Sequence, residues 1–520
     1  MAQTVLPFQY QAEKLGQTTA FGGLPLYFEL AVLSGVVAGI AKHLRVRQAG
    51  WDDIAVVTAI VLLNLAGGEH VEDINRLEQD AGLRRIMVRA MYAHLPRRQR
   101  RQREREWFKA ERRGEPKRAF PSTSSVFRYL ERFHDPEMER LREQALADGR
   151  KAFIPEETEA LKALWLVVRD QVGFLHTHRP VATATIDMDA TCVQTHKSTA
   201  LYCYKKFAAY QPLNFYWQEL DTIFYSQFRD GNVPAGFGLW DALVRALEQL
   251  PEGVDQLLLR SDSAGYCWEL LRYCAEGRNE RFGKIDFAVS ADVTDPLKQE
   301  VAKLSEGDWK PLIRQEPDGQ KIPTGQQYAE VVYVPDGVGH SKKGPDYRFI
   351  VIREKLAQLE LPGLEDDRQE QLPFPTIRLN DEQGVPLRYK LHAVVTTLDW
   401  PEQKVIWWLR QRCGKSEQVH AVMKDDLAGG TFPSSLFGAN AAWWAMMIIA
   451  LNLNTTMKQL VLGGNWARCR MKAVRYHFIH IAGRLVLRAR QQILKIAADA
   501  AAMLQEARTR IHALANAPPG

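Results

Sequence analysis

The chain has 520 residues, of which 46% are hydrophobic and 25% charged, and its formal net charge is +6. This length exceeds what one hydrophobic core supports, so we expect about two to four domains, and the ordinary composition excludes wholesale disorder. Its six cysteines include no Cys-x-x-Cys pair, which excludes a zinc finger or disulfide framework and favours a reducing cytoplasm.

The N-terminus has no basic start followed by an apolar core and a cleavage site, so we expect no signal peptide. The apolar stretches 55–66 and 441–451 are shorter than the roughly 20 residues that span a bilayer. We therefore expect buried helices and no membrane partner.

The first part of the chain, 24–95, has apolar residues at helical spacing and predicts packed amphipathic helices. A basic run follows at 97–118, where eleven Lys or Arg residues face four glutamates, an excess of seven positive charges. We expect an exposed helix or a mobile arm here, with Arg100, Arg101 and Arg105 as candidate DNA contacts.

Two aromatic residues lie inside this basic run, Trp107 and Phe108. They could stack on an unpaired base, but packing against a neighbouring helix is the expected role. A Ser/Thr cluster at 121–125 then predicts the start of a short helix, 124–133, with Arg128 and Arg132 on one face. This helix is either a DNA-recognition helix or an ordinary surface helix.

The character of the sequence changes near Arg179, where strand-like segments begin. The pattern predicts strands at 181–191, 214–218 and 222–228, a helix at 239–250, a strand at 256–260, a helix at 264–275 and a strand at 284–290. Three strands, helix, strand, helix, strand is the order of a ribonuclease-H-like core, so the predicted fold class is α/β.

The remaining chain begins with a segment rich in Pro, Gly and charge but containing strands at 328–334 and 347–353, which predicts a β-rich insertion. A strand at 391–397, a helical region at 402–426 and helix throughout 443–514 complete the prediction. The predicted domains are a helical DNA-binding or dimerisation region, two parts of the core around the insertion, and a C-terminal helical region: 1–175, 176–290, 291–390, 391–455 and 456–520.

Two aspartates occupy strands that are otherwise made for burial: Asp189 lies on the first, and Asp262 ends another. A buried carboxylate is costly unless it is paired or binds a metal, and carboxylate oxygens suit Mg²⁺ or Mn²⁺. Asp187 shares the sheet face of Asp189 and is either a partner or an additional ligand. Taken alone, each aspartate is more often a cap or turn residue.

A third carboxylate is expected from the helix after the last strand, and Glu417 supplies it. Glu417 and Lys424 are seven residues apart and fall on one helical face, with His420 between them. An ordinary solvated helix would have the same pattern. Asp425 and Asp426 compete for the carboxylate role but lie too late in the helix.

Taken together, these motifs resemble those of insertion-sequence DDE transposases, closest to the family numbered thirteen-eighty. The segments that carry the resemblance are Ile-Asp-Met-Asp-Ala-Thr at 186–191, Tyr-Gln-Pro-Leu at 210–213, Arg-Asp-Gly-Asn at 229–232, Arg-Ser-Asp-Ser at 260–263, the 412–424 helix, Leu-Phe-Gly-Ala-Asn at 436–440 and Ala-Leu-Asn-Leu at 450–453. The similarity extends from about Gly22 to Arg488. It implies a ribonuclease-H-like catalytic domain, a β insertion before the Glu, and helical DNA-binding ends.

The residues before Glu417 depart from the pattern of these transposases. Relatives have a Tyr and an Arg closely preceding the Glu, with the Arg four residues before it. Here Cys413 occupies that position and Arg412 stands one residue earlier, whereas Lys424 keeps the expected spacing.

The resemblance implies a transposase that binds terminal inverted repeats and performs metal-dependent strand cleavage and strand transfer. Asp189, Asp262 and Glu417 would hold two Mg²⁺ or Mn²⁺ ions, and the protein would act as a homodimer on double-stranded DNA in the bacterial cytoplasm, at the nucleoid. The further candidate DNA-binding residues are Arg410, Arg412, Lys415 and Lys424.

Three other readings of the sequence stay open. A metal-dependent nuclease of the same core would cut DNA without joining it. A transposase-derived DNA-binding protein would have lost catalysis, although an intact acidic triad argues against it. A membrane or scaffold protein would use its apolar helices for contacts.

Overall fold

The computed structural model describes residues 17–46, 50–92, 95–115, 117–150, 152–316, 318–335, 347–356, 374–380, 386–488 and 491–516. The chain forms two compact units, each built from separate stretches of sequence. We call Met1–Asp135, Glu157–Val167 and Val422–Pro519 the helical unit, and Pro136–Glu156 with Val168–Ala421 the sheet unit. The five domain boundaries expected from the sequence remain a prediction.

The helical unit contains most of the helices and one small sheet. Its elements are β1 (Thr18–Thr19), α1 (Leu24–Leu33), α2 (Val36–His43), α3 (Asp53–Ala66), α4 (Ile74–Gln79), α5 (Ala81–Met91), α6 (Arg97–Arg112), α7 (Thr123–Leu130), α15 (Phe437–Thr456), α16 (Met471–Val474), β14 (Gly483–Arg488), β15 (Gln491–Lys495) and α17 (Ala498–Asn516).

Two apolar helices, α3 and α15, form the centre of the helical unit, and every residue of α15 is buried. Two buried amide side chains on these helices form internal hydrogen bonds: Asn454 Oδ1 accepts from Tyr27 Oη over 2.8 Å, and Asn64 Oδ1 accepts from the Ala428 N–H over 2.9 Å. The apolar stretches at 55–66 and 441–451 are therefore buried helices, as predicted.

Length and composition would also permit membrane crossing by part of this unit. The segment Phe437–Leu462 is long and apolar enough to cross a membrane. The same holds for two bent helix pairs if each is taken as one span, Leu24–Leu33 with Val36–His43 and Asp53–Ala66 with Val71–Gln79. Of the apolar window in Phe437–Leu462, however, 78% is buried inside the protein. Burial against other helices accounts for its apolar character.

The C-terminal tail is not helical throughout, which corrects the sequence prediction for 443–514. Strands β14 and β15 form an antiparallel hairpin, and β14 also pairs with β1 near the N-terminus. The segment 483–488 buries Leu485 while its neighbours stay at least partly exposed, a pattern closer to a strand than to a helix. The strand begins at Gly483. A Cβ at this position would lie 2.6 Å from Ile496 Cγ2, so any larger residue would clash there.

The sheet unit contains the long sheet and the helices that pack on it. Its elements are α8 (Pro136–Ala147), most of α9 (Glu159–His178), β2 (Thr183–Ala190), β3 (Val193–Gln194), β4 (Ala209–Tyr210), β5 (Leu213–Trp217), β6 (Thr222–Gln227), α10 (Leu239–Leu247), β7 (Gln256–Ser261), α11 (Trp268–Ala275), β8 (Asp286–Ala291), α12 (Asp295–Val301), β9 (Lys310–Gln315), β10 (Lys321–Val331), β11 (Arg348–Lys355), β12 (Thr376–Asn380), β13 (Pro386–Thr396), α13 (Glu402–Arg410) and α14 (Lys415–Ala421).

The sheet has the order β6-β5-β2-β7-β8-β13-β11-β10-β9, with β12 paired to β13. Strands β2, β7 and β8 run parallel, whereas β5 and β6 are antiparallel to their neighbours. The predicted succession of three strands, helix, strand, helix and strand is present as β2, β5, β6, α10, β7, α11 and β8. The parallel pairing of β2 with β7 and of β7 with β8 brings the carboxyl ends of these strands to one edge of the sheet.

The strands predicted as a β-rich insertion extend this same sheet. Strand β13 pairs antiparallel with β8 on one side and with β11 on the other. Parts of the predicted insertion, 336–346, 357–373 and 381–385, lie outside the described residues.

Helix α13 packs on the extended part of the sheet through an apolar cluster. Its members are Leu258, Ala288, Leu312, Tyr328, Ile350, Ile352, Val394, Leu398, Val405, Ile406 and Leu409, with Trp400, Trp407 and Trp408 packed against them. This packing fixes the helix that immediately precedes the segment carrying Glu417.

Candidate active site

The carboxyl ends of β2 and β7 bring the two predicted aspartates together. The parallel register pairs Asp187 with Arg260 and Met188 with Ser261. Continued by one residue, this register sets Asp189 beside Asp262, the first residue after β7. The strands that the sequence predicted to carry these aspartates are therefore neighbours.

Asp189 lies in an environment that disfavours its negative charge. Its side chain is 18% exposed, and burial raises its pKa to about 6, with the nearby charges of Asp262 and Asp187 adding to the rise. Arg412 opposes this effect, because its Nη1 lies 3.0 Å from Asp189 Oδ2. The first predicted metal ligand is thus held by a cation from the chain itself.

Asp262 caps the turn that follows β7. Its Oδ1 accepts a hydrogen bond from the Ala264 N–H over 3.0 Å, and the side chain is half-buried. Within the described part of the chain, no other hydrogen bond or ion pair engages this carboxylate. The turn is tight, since a Cβ on Gly265 would lie 2.5 Å from Ser261 Oγ.

Asp187 is fully buried and engaged by Arg260 through both of its oxygens. Arg260 Nε donates to Oδ1 over 2.6 Å, and Arg260 Nη2 donates to Oδ2 over 2.8 Å. Arg260 also donates to the Trp408 carbonyl over 2.7 Å and lies 5.1 Å from the centre of the Trp408 ring. Of the two roles considered for Asp187, the geometry favours the ion-pair partner over the additional metal ligand.

The Glu417 helix is separated from α13 by a break at 411–414. Gly414 adopts φ +82° in this break, and α14 then begins at Lys415. Arg412 therefore belongs to the break rather than to the helix that carries Glu417. Glu417 itself is exposed in the first turn of α14 and has no hydrogen bond or ion pair within the described residues.

A buried polar chain connects α14 to β5, the strand that pairs with the one carrying Asp189. His420 Nε2 lies 3.1 Å from Asn214 Nδ2, and Asn214 Oδ1 accepts from Ser226 Oγ over 2.7 Å. Asn214 is the register partner of Asp189 across β2 and β5. Since His420 is three residues after Glu417, this chain docks the Glu417 helix beside the Asp189 strand.

The other basic residues predicted near Glu417 have different surroundings. Arg410 is partly buried and donates to Gln326 Oε1 over 2.8 Å, and Lys415 Nζ lies 3.0 Å from Asp221 Oδ1. Lys424 lies in the helical unit, in a π-helical turn at Val422–Asp426. Because α14 ends at Ala421, the regular α-helical spacing on which its predicted alignment with Glu417 rested does not continue to Lys424.

The basic run forms α6, so of the predicted alternatives the exposed helix is observed. Arg101 and Arg105 are exposed and have no ion pair among the described residues, whereas Arg100 Nε lies 4.0 Å from Glu104. An open groove of about 750 Å³ follows this face, and its lining residues are Arg97, Arg98, Arg101, Gln102, Arg105, Glu106 and Lys109. The face presents a row of cations to solvent.

The aromatic pair inside the basic run is held by the protein. Trp107 is buried, and the Arg84 guanidinium lies 5.4 Å from its ring centre. Phe108 is partly buried and contacts Trp107 edge to face at 5.2 Å. Packing is therefore the observed role, as the sequence favoured, and base stacking by Trp107 is not supported.

The short helix after the Ser/Thr cluster is α7. Ser122 is its N-cap, and the Ser122 side chain accepts from the Ser125 N–H, which confirms the predicted start signal. Arg128 and Arg132 are both exposed, and Arg128 Nε donates to the Ser124 carbonyl over 3.1 Å. Their exposure leaves both of the predicted roles for this helix open.

Asp189 and Asp262 fit a divalent cation in part. They offer hard oxygen donors at adjacent strand ends, and the raised pKa of Asp189 marks a position where a positive charge would be stabilised. Among the described residues, however, no three His, Cys, Asp or Glu side chains are grouped so that they could hold a metal ion. Of the three predicted ligands, Asp189 and Asp262 therefore lie side by side, and Glu417 is not grouped with them.

Sequence reasoning missed Arg260 and the His420–Asn214 pair. Arg260 had a detectable signal, because it is a cation in an apolar strand, just as Asp187 is an anion in another. Opposite charges buried in neighbouring strands are expected to pair. No sequence signal identified Asn214, whose role depends on the register of β2 against β5.

Comparison with known proteins gives a family for most of the chain. The family model described as transposase DDE domain group 1 matches residues 16–336, a segment that contains Asp189 and Asp262 and ends before Glu417. No curated protein matches the chain. Among solved structures, it is similar to a chain of the piggyBac transposase synaptic complex with hairpin DNA, with 10% identity and a TM-score of 0.41, covering 95% of this chain and 80% of that chain.

Proposed function

Because the chain belongs to the family of transposases with a DDE domain of group 1, we propose that it cuts DNA at the terminal inverted repeats of its element and joins the ends to a target. The observation that carries the proposal is the juxtaposition of Asp189 and Asp262 at the ends of β2 and β7. The finer assignment to the insertion-sequence family numbered thirteen-eighty is part of the same proposal.

We assign a ribonuclease-H-like core to β2, β5, β6, β7 and β8. The strand order β6-β5-β2-β7-β8, with the parallel strands on one side and the antiparallel ones on the other, supports this assignment. In an α/β sheet, ligands bind at the carboxyl ends of the strands, where Asp189 and Asp262 lie. The strands β9 to β12 would then be the insertion between this core and Glu417.

The proposed catalytic residues are Asp189, Asp262 and Glu417. Transposases of this class generally use divalent metal ions, and we propose Mg²⁺ or Mn²⁺, two ions per active site, held by these carboxylates. When bound, the ions would supply charge that lowers the pKa of an attacking water or 3′-hydroxyl and stabilises the leaving oxygen at phosphorus. Glu417 would join the two aspartates as the third ligand.

The residues of the chain have separate tasks in this scheme. Asp189 and Asp262 are fixed by the register of their strands, and Arg260 holds that register through Asp187. Arg412 would release Asp189 and contact a DNA phosphate near the cut. Because the chemistry depends on positioning and charge neutralisation, these residues need to make no covalent bond to the DNA.

DNA binding is proposed for cations that are exposed or partly exposed in each unit. The α6 face with Arg100, Arg101 and Arg105 would provide salt-sensitive contacts to phosphates, and Arg410 and Lys415 would add contacts near the cut. Lys424 is proposed as a further DNA-binding residue of the helical unit. Helix α7 with Arg128, together with the 3-10 turn Glu131–Phe133 that carries Arg132, is the candidate for base contacts. Synapsis of two ends would require a homodimer, and the proposed location is the bacterial cytoplasm at the nucleoid.

The test is a cleavage assay on labelled DNA that carries the inverted repeats flanking the gene. The wild-type protein is compared with Glu417→Gln, Asp189→Asn and Asp262→Asn, with Mg²⁺ and with EDTA. We expect cleavage at the repeat tips and a joined product only with the wild type and Mg²⁺. The three amide variants should still bind the repeat DNA, because the cations proposed to contact its phosphates are unchanged.

Asp425→Asn is the matched control, since Asp425 is an exposed acid shortly after Glu417 in the sequence. It should cleave like the wild type. Cleavage by Glu417→Gln would remove Glu417 from the catalytic set, and loss with Asp425→Asn would move the third carboxylate there. Cleavage without joined product would indicate the nuclease, and binding without cleavage under any metal would indicate an inactive DNA-binding protein.

A further inference from the structure

The connection between β2 and β5 projects from the sheet edge that carries the candidate active site. It leaves β2 directly after Ala190 and returns to β5 at Leu213, the register partner of Ala190. Between them, β3 and β4 pair as a short hairpin stem, and a bridge between Tyr202 and Ala208 closes its tip. We call residues 201–208 the tyrosine–lysine turn.

Two large aromatic side chains of this turn point into solvent. Tyr202 is 70% exposed and Tyr204 is 73% exposed, whereas Cys203 between them is buried. The turn is regular, because the Cys203 N–H donates to the Phe207 carbonyl and the Lys206 N–H donates to the Cys203 carbonyl, both over 2.9 Å. The tyrosines are therefore displayed by a folded turn.

The charge of this connection is entirely positive. Residues 191–212 contain Lys197, Lys205 and Lys206 with His196, and no Asp or Glu. Lys205 and Lys206 are exposed, Lys205 Nζ lies 5.5 Å from the Tyr204 ring centre, and no ion pair engages either lysine within the described residues. The lysines would attract a negatively charged polymer, and the exposed rings would stack on flat rings of that polymer. This surface therefore fits a polyanion that has flat faces.

The motif Arg-Asp-Gly-Asn at 229–232 anchors the base of the turn. Asp230 Oδ1 accepts from the Leu201 N–H over 2.9 Å, and the buried Arg142 donates to the other oxygen. Gly231 lies so close to both arms that a Cβ would stand 2.4 Å from the Leu201 carbonyl oxygen and 2.5 Å from that of Ala209. The conformation of the turn is thus fixed by buried groups, whereas its aromatic and cationic tip contributes little to the core.

We propose that the tyrosine–lysine turn binds DNA next to the cut, with Tyr202 or Tyr204 stacking on an unpaired base and Lys205 and Lys206 on the adjacent phosphates. The inference rests on the proposed function and adds a DNA-contacting element to its site. Aromatic stacking and lysine contacts are together the way in which proteins bind unpaired nucleic-acid strands.

The position of the turn agrees with this role. Tyr204 is nine residues before Leu213, so its Cα lies within roughly 30 Å of the sheet edge, a span of less than ten base pairs. DNA held at Asp189 and Asp262 is within reach of the turn. A protein partner is less favoured, because lysine is depleted at protein interfaces.

The experiment uses the full chain and inverted-repeat DNA whose terminal bases are unpaired and contain 2-aminopurine. Stacking on a tyrosine should quench the fluorescence of this base. The double variant Tyr202→Ala/Tyr204→Ala should lose the quenching and bind this DNA at least about fivefold more weakly. Binding to an internal, fully paired repeat segment should change less than twofold.

Tyr202→Phe/Tyr204→Phe is the matched control, since it keeps both rings and should keep the quenching. Lys205→Gln/Lys206→Gln should keep the quenching but lower the salt dependence of binding, by about 0.7–0.9 in log–log slope for each phosphate that the variant no longer neutralises. Circular dichroism checks that all variants fold.

Unchanged quenching and affinity in the Tyr→Ala variant would overturn the proposal. A changed oligomeric state with unchanged DNA binding would also overturn it, in favour of a protein interface. If the wild type still cleaves the repeats in either case, the proposed function stands without this turn. If the wild-type protein bound no DNA, both the proposed function and the proposed role of the turn would be wrong.

Discussion

The strand-borne and helix-borne parts of the candidate active site differ in how firmly they are held. Asp189 and Asp262 lie on paired strands, and the buried Arg260–Asp187 ion pair connects those strands beneath them. Glu417 is exposed on a seven-residue helix that follows the break at Gly414. The aspartates are fixed by strand pairing, whereas the Glu417 side chain is surrounded by solvent.

This difference suggests a division of energetic cost. Burial and the nearby charges of Asp262 and Asp187 disfavour the negative charge of Asp189, and the paired strands hold it in that position. Glu417 is exposed to solvent. The strand-borne part should therefore affect the free energy of unfolding, whereas the helix-borne part should affect activity alone.

The largest effect is expected from Arg260→Met. Removing the guanidinium leaves Asp187 buried without its partner, which should lower the free energy of unfolding by about 3–5 kcal/mol. Urea unfolding at pH 7, followed by tryptophan fluorescence, measures this. The control Arg278→Met removes an exposed arginine paired with Glu276 and should cost less than about 1 kcal/mol.

A second variant sharpens the Arg260 result. Arg260→Met/Asp187→Leu removes both charges and should recover most of the lost stability, because no uncompensated charge remains. Equal losses in the single and double variants would mean that packing of the Arg260 side chain, rather than the ion pair, holds the strands.

The next effect is a gain of stability from Asp189→Asn. The folded protein raises the pKa of Asp189 from 3.8 to about 6, so it binds a proton more tightly than the unfolded chain does. The charged wild-type carboxylate therefore destabilises the fold above pH 6, and an amide should add about 1–3 kcal/mol there. The gain should fade as the pH falls from 6 and vanish below about pH 4.

Thermal unfolding of Asp189→Asn and the wild type at pH 7.5 and pH 4 compares the two conditions. If Asp189→Asn stabilised the protein equally at pH 7.5 and at pH 4, the gain in stability would not be electrostatic in origin. A loss at pH 7.5 would mean that the contact with Arg412 outweighs the cost of burying the charge.

The smallest effect on stability is expected from Glu417→Gln. Because Glu417 is exposed and makes no ion pair within the described residues, the free energy of unfolding should change by less than about 0.5 kcal/mol. Urea unfolding in the absence of metal checks this. A destabilisation above 1 kcal/mol would show that Glu417 already has a structural partner, and the contrast between the two parts of the site would fail.

The sequence predicted much of the sheet unit. Alternating and β-branched residues predicted β2, and a short apolar run predicted β7. The sequence alone therefore placed Asp189 on one strand and Asp262 at the end of another. That the two aspartates converge at adjacent strand ends was also predicted, whereas the register of β2 against β7 came only from the fold. The Ser122 cap of α7 was predicted because its signal is contained in a few neighbouring residues.

Other features depend on distant parts of the chain. The β14–β15 hairpin was predicted as helix because its residues resemble those of the helices around it, and its pairing with β1 joins the two ends of the sequence. The interaction of His420 with Asn214 joins residues 206 positions apart, which no local periodicity encodes. The ion pair of Arg412 with Asp189 also joins distant residues and had no local signal, whereas the predicted contact of Arg412 with DNA stays a prediction.

The pairing of β8 with β13 has a consequence for synthesis of the protein. Ala291 pairs with Ala393, so β8 must wait for 102 further residues before its second neighbour emerges. At roughly 5–20 residues per second, the edge of β8 stays open for about 5–20 s on the ribosome. Its middle residues Phe287, Ala288 and Val289 are all fully buried once the sheet is complete. During that interval a chaperone should protect the nascent chain from edge-to-edge aggregation.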